Sequence, residues 1–126
     1  MLSRHTSRIW IRDQDLSSDD AFEALLEQIR IELEFAVQRV MTAEVDYMVM
    51  GMSAETFWGG VEGNREFIQQ TKEWSGLDVV TGAEACEKAL HLFGARIIGV
   101  VTAYQPLGVE NVILFFNDIG FVVVNI

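Results

Sequence analysis

The chain has 126 residues, half of them apolar, and its nine Lys and Arg against 19 Asp and Glu give a formal charge of −10. That length and apolar share bury a core of one domain's size, which excludes a disordered or fibrous chain. The acidic balance excludes nucleic acid as a partner, because phosphate binding needs a basic face, and no apolar run is long enough to span a bilayer.

In chain order, Ser7-Arg-Ile-Trp-Ile11 is rich in β-formers and is expected as a short strand. Ser17-Ser-Asp-Asp20 then carries a Ser-x-x-Asp capping pattern ahead of a long amphipathic helix. Phe22, Leu25, Leu26, Ile29, Leu33, Ala36, Val37 and Val40 recur on one face at helical spacing, with Glu23, Glu27, Arg30, Glu34 and Gln38 opposite. Residues 46–51 are apolar at nearly every position, as in a parallel strand covered on both faces.

A helix is expected over residues 62–75, with the stripe Phe67, Ile68, Thr71 and Trp74, closed by Gly76. Residues 77–81 form a short strand, and Gly82 opens a helix whose buried face is Cys86, Ala89, Leu90 and Phe93, stopped by Gly94. Residues 96–103 read as an apolar strand. A last helix sets Val109, Val112, Ile113, Phe116 and Ile119 on one side and ends at Gly120, before a strand over residues 121–126. Strands alternating with helices and carrying few charges predict an α/β fold, a parallel sheet with helices on both faces in a Rossmann-like three-layer arrangement.

Cys86 is the only cysteine and has no disulfide partner in the chain, which with the absence of an apolar leader makes the cytoplasm the expected location. His5 and His91 are far apart and show no ligand spacing, so no metal is expected. A parallel sheet ending on an apolar strand would leave an edge exposed, which points either to a fragment of something longer or to a chain that needs partner chains; where the sheet lacks a neighbour, Met48, Met50 and Ile98 would lose cover, and a homo-oligomer is expected.

The turn after the strand at residues 46–51 is the most informative segment. Gly51, Met52 and Ser53 stand where an apolar strand ends and a helix begins, a place where backbone N–H groups and a hydroxyl converge on an anion. Ser53 is also a suitable N-cap. Tyr104 follows the strand at residues 96–103, at the carboxyl edge of the sheet where ligands are held in such folds. Glu55 reads as a first-turn acid rather than a general base, and Phe57 and Trp58 as core or pocket wall.

Met50-Gly-Met-Ser-Ala-Glu-Thr-Phe-Trp-Gly-Gly60, taken with residues 100–111 and 115–121, resembles the aspartate/glutamate racemase superfamily, in the branch of maleate cis-trans isomerases and arylmalonate decarboxylases. The resemblance implies an architecture of two pseudo-symmetric α/β halves with the active site between them. Residues 1–94 would be the later part of the first half and residues 95–126 the opening of the second. The family's first strand, with its anion-binding loop, and its later cysteine-bearing part would then lie outside the present chain.

The same resemblance implies cofactor-independent chemistry on a small carboxylic or dicarboxylic acid, through an enolate-like intermediate. It assigns Ser53 and Tyr104 as catalytic groups, and Gly51, Met52, Ser53, Tyr104 and Asn111 as substrate-binding residues. Met52 departs from the decarboxylase pattern, which has a hydroxyl residue there, and no thiol stands at the matching positions. A catalytically silent α/β domain with an anion-binding or assembly role is the alternative.

Overall fold

The protein is described by a computed structural model covering residues 2–125. Helix α1 (Asp19–Met41) begins at Ser18, whose hydroxyl accepts from the Ala21 N–H at 3.2 Å. The cap is therefore one residue later than the sequence pattern suggests, because Ser17 is engaged by Asp15 through both its N–H and its hydroxyl. The apolar face of α1 is as expected: Phe22, Leu26, Ile29, Leu33, Ala36 and Val37 are buried.

Strand β1 (Met48–Met50) leads through residues 51–53 into α2 (Ala54–Phe57) and α3 (Gly60–Ser75). Strand β2 (Val79–Thr81) lies parallel to β1, with Met48 opposite Val79 and Met50 opposite Thr81. Helix α4 (Gly82–Leu92) starts on a full capping box between Thr81 and Glu84. Strand β3 (Ile97–Gly99), helix α5 (Pro106–Asp118) and β4 (Val122–Asn125) complete the described chain, and β3 pairs with β4 in parallel. The last residue of the expected final strand, Ile126, lies outside the described residues.

The parallel α/β character is as expected, but the strands are shorter and divide into two sheets of two strands, β1–β2 and β3–β4. Residues 7–11 do not form a strand. Their backbone is held against α1 instead: the Arg39 guanidinium donates to the Arg8 carbonyl and the Arg12 N–H donates to Gln28 Oε1. Ile9 packs between the apolar clusters that α1 builds with β1 and with the 52–58 turn. Ile9 is half-buried there, while Trp10 and Ile11 stay exposed.

Burial corrects three further expectations. Met48 and Met50 keep their cover, because their face of β1 lies on α1, and Ile98 is half-buried against the core. It is the opposite face that is open: Val49 is 71% exposed, so β1 is not covered on both sides. Cys86, Ala89 and Phe93 are exposed on α4, where Ala83 is buried and Leu90 half-buried. The buried side of α4 is centred on Ala83 and Leu90, so Leu90 is shared with the expected stripe and the helix is rotated toward Ala83, away from Ala89 and Phe93. Apolar residues occur on both sides of Leu90, so periodicity does not fix the rotation.

The main core holds Phe57, Ala83, Val112, Phe115, Phe116 and Phe121, so α5 packs against both the 54–57 turn of helix and β4. Phe115 is fully buried and meets Phe57 and Phe116 edge-on, at ring separations of 5.2 Å and 5.5 Å. Helix α5 thereby brings the loop that carries Tyr104 against the turn after β1.

Candidate functional site

The turn after β1 is positioned by buried polar side chains. Thr56, fully buried, donates its hydroxyl to the Ser53 carbonyl at 2.8 Å, and the Asn64 amide donates to the Thr56 carbonyl at 2.7 Å and to Thr81 Oγ1 at 3.2 Å. Buried groups with every partner supplied hold one geometry, since any displacement leaves a polar atom bare. Helix α3 and the start of α4 thus fix the backbone on which Ser53 sits.

Ser53 occupies the N-cap position of α2 but makes no capping bond with its side chain. Its oxygen accepts instead from the Tyr104 hydroxyl at 2.5 Å, across 51 residues of sequence. Tyr104 is held from both ends: its N–H donates to Thr102 Oγ1 at 3.2 Å, and its ring lies 6.4 Å from that of Phe22, which also faces Trp58 at 6.0 Å. The residues that sequence pattern and resemblance single out separately therefore meet at one point. With the phenolic O–H directed to Ser53, the serine O–H is free to donate outward, polarised by the bond it accepts.

The other candidates take different places. Gly51 is exposed and Met52 half-buried, and both line the end of a cleft of about 910 Å³ between residues 2–11, α1 and β1. Ser53 and Tyr104 are not among the lining residues of that cleft; they stand at the surface beside it. Asn111 serves the fold: its Oδ1 accepts from the Gly59 N–H at 2.8 Å and its Nδ2 donates to the Leu107 carbonyl at 2.9 Å. One Nδ2 hydrogen is left for anything else. Phe57 is core, whereas Trp58 is half-buried beside Phe22.

Sequence reasoning missed the supports: Thr56, Asn64 and the ion pair between Arg30 and Glu55. The Arg30 Nε donates to Glu55 Oε1 at 2.7 Å, and Glu55 is 5% exposed, with Oε2 buried and unpartnered. No local pattern signals them, because Thr56, Asn64, Arg30 and Glu55 are residue types that solvated helix faces carry as well.

Close packing also seats the phenol. A Cβ built on Gly108 would stand 2.8 Å from the Tyr104 Cβ and 3.2 Å from Phe22 Cε1, so no side chain fits between α5 and Tyr104. Gly108→Ala is expected to destabilise the chain by about 1–3 kcal/mol, as overpacked cores do, and to displace Tyr104 from Ser53. Urea unfolding reads the first effect and the chemical shifts of Tyr104 the second; an unchanged unfolding midpoint would contradict this packing.

The sequence profile of the family described as arylmalonate decarboxylase matches residues 15–126, nearly the whole chain. The chain belongs to that family. Among solved structures, arylmalonate decarboxylase itself superposes with a TM-score of 0.70 at 18% identity, over 79% of this chain and 44% of that one. A doubly substituted mutant of arylmalonate decarboxylase in a liganded form gives a TM-score of 0.70 at 19% identity, over 83% and 43%. A cysteine-substituted mutant in a sulfate-associated form gives 0.69 at 20%, over 87% and 46%.

At these identities the structural likeness establishes the shared α/β fold. The chain spans less than half the length of the solved family members it matches. No curated protein matches it by sequence. Among the described residues no helix is long and apolar enough to cross a membrane, and no group of three or more His, Cys, Asp or Glu is placed to hold a metal ion.

Proposed function

We propose that this member of the arylmalonate decarboxylase family holds a small mono- or dicarboxylic acid, of the arylmalonate or maleate kind, at the Ser53–Tyr104 hydroxyl pair. The observation that carries the reading is the hydrogen bond between these two side chains at an exposed turn whose backbone is fixed from beneath. Loss of CO2 from a malonate leaves the electron pair of the broken C–C bond on the α-carbon, delocalised into the remaining carboxyl group. The Ser53 O–H, polarised by the bond it accepts from Tyr104, is a donor that stabilises the developing charge when directed at that group. Gly51 and Met52 contribute backbone at the same turn, and Asn111 contributes its one uncommitted Nδ2 hydrogen.

Cys86 is exposed on α4 and no thiol stands at the turn. The share of this chain in the chemistry is therefore binding and charge stabilisation. Proton NMR titration of the chain with phenylmalonate or maleate tests the reading: shifts of the Ser53 and Tyr104 resonances that saturate with added diacid support it. Millimolar diacid that moves neither resonance defeats it.

We further propose that the chain self-associates. Ile97, Val122 and Val124 are 67%, 56% and 64% exposed on one face of the β3–β4 sheet, whereas parallel sheets are ordinarily covered on both. Sedimentation at tens of micromolar is expected to show species larger than 14.2 kDa. A single monomeric boundary at that concentration would contradict association.

A further inference from the structure

Glu55 has no role in the site as described, yet it is buried two residues beyond Ser53. Its carboxylate is only half satisfied: Oε1 receives the Arg30 Nε at 2.7 Å, and Oε2 has neither solvent nor a donor. Arg30 is itself 46% exposed and shared, since its Nη1 also lies 3.8 Å from Glu27 Oε2. One guanidinium thus stands between two carboxylates. The local charge beneath the turn is net negative, and the bare oxygen of Glu55 lies in protein rather than water, where its field is weakly screened.

We propose that Glu55, with Arg30 and Glu27, is a charge-selecting element that makes the Ser53–Tyr104 pair favour singly over doubly charged carboxylates. This inference rests on the reading that the hydroxyl pair holds a carboxylate, and it adds the ionisation state of the ligand. Repulsion from a fixed charge scales with the charge of the ligand, so a dianion feels it twice as strongly as a monoanion at the same place. A diacid then binds best with one of its carboxyl groups neutral. Helical rise places the first-turn carboxylate within about 10 Å of the turn.

The test is the affinity of the 126-residue chain for phenylmalonate, a dianion at neutral pH, and phenylacetate, a monoanion, followed by NMR titration. Glu55→Gln keeps the shape and removes the charge. It is expected to tighten phenylacetate by about twofold to fivefold and phenylmalonate by about fourfold to twenty-fivefold, the square of the first factor. Glu27→Gln, at an exposed position that does not threaten the fold, shifts the dianion in the same direction by a smaller factor. In Arg30→Met with Glu55→Gln both charges go together, and affinities return to within about twofold of the starting chain.

A pair that only braces α2 against α1 would behave otherwise, weakening both ligands alike in Glu55→Gln and in the double variant. That result, or unchanged affinities in Glu55→Gln and Glu27→Gln, overturns the proposal while leaving the carboxylate site standing. A starting chain that binds neither anion overturns the site reading itself.

Discussion

Ser53→Ala and Tyr104→Phe are each expected to weaken diacid binding by about tenfold to a hundredfold, the value of ~1.5–3 kcal/mol for a hydrogen bond to a charged acceptor. The serine substitution removes the outward donor. The tyrosine substitution removes the phenolic O–H that orients and polarises it. Because the two hydroxyls act in series, the double variant should lose little more than the worse single one, and a double-mutant cycle on NMR-derived affinities will show coupling of about 1 kcal/mol or more. Additive losses would mean that the hydroxyls act separately, and unchanged affinity would remove the turn from the binding site.

Phe115→Ala carries the largest expected effect on stability. The ring is fully buried and touches both Phe57 and Phe116, so its removal leaves a cavity bounded by α2, α5 and β4. Such truncations cost about 3–5 kcal/mol, a fifth or more of the roughly 5–15 kcal/mol that a domain commonly has in total. The urea midpoint should fall steeply. Phe93→Ala, at 85% exposure, is expected to change stability by less than about 0.5 kcal/mol. Equal losses at the two phenylalanines would refute the packing of α4 and α5 described above.

The same contrast shows where reading letters stops. Phe93 and Phe115 both fall on helices of apolar period, and sequence pattern favours the first as core. The structure reverses them, because the phase of a helix is set by what it lies against. The buried face of helix α1 was legible although its cap was not, since the run from Phe22 to Val37 is unbroken at helical spacing and the apolar residues off it, Ile31 and Phe35, are too few to form a rival stripe. In α4 the face of Ala83 and Leu90 and the face of Cys86, Ala89 and Phe93 differ only by a partial rotation about the axis, and contact with β2 and α2 selects between them.

At the site, residue types and their position after apolar strands pointed to Ser53 and Tyr104 one at a time, because strand ends in a parallel α/β fold are where ligands are met. Their meeting across 51 residues is tertiary: it depends on Phe115 seating α5, on Gly108 admitting the phenol, and on Thr56 and Asn64 holding the turn. None of these supports carries a local signature, since a buried threonine or asparagine in a helix is written with the same letters as a solvated one. Asn111 shows the converse, a residue of suitable type in a suitable region whose amide is largely spent on Gly59 and Leu107.

From Ser18 onward the alternation of helices and strands, their parallel pairing and the family membership follow from local period, turn residues and motif, which are properties of short stretches of chain. Which apolar face is covered, which hydroxyls touch and which carboxylate is buried with a bare oxygen depend on distant segments competing for the same surface. Only the packed chain resolves that competition, because burial free energy belongs to pairs of surfaces and not to any one residue.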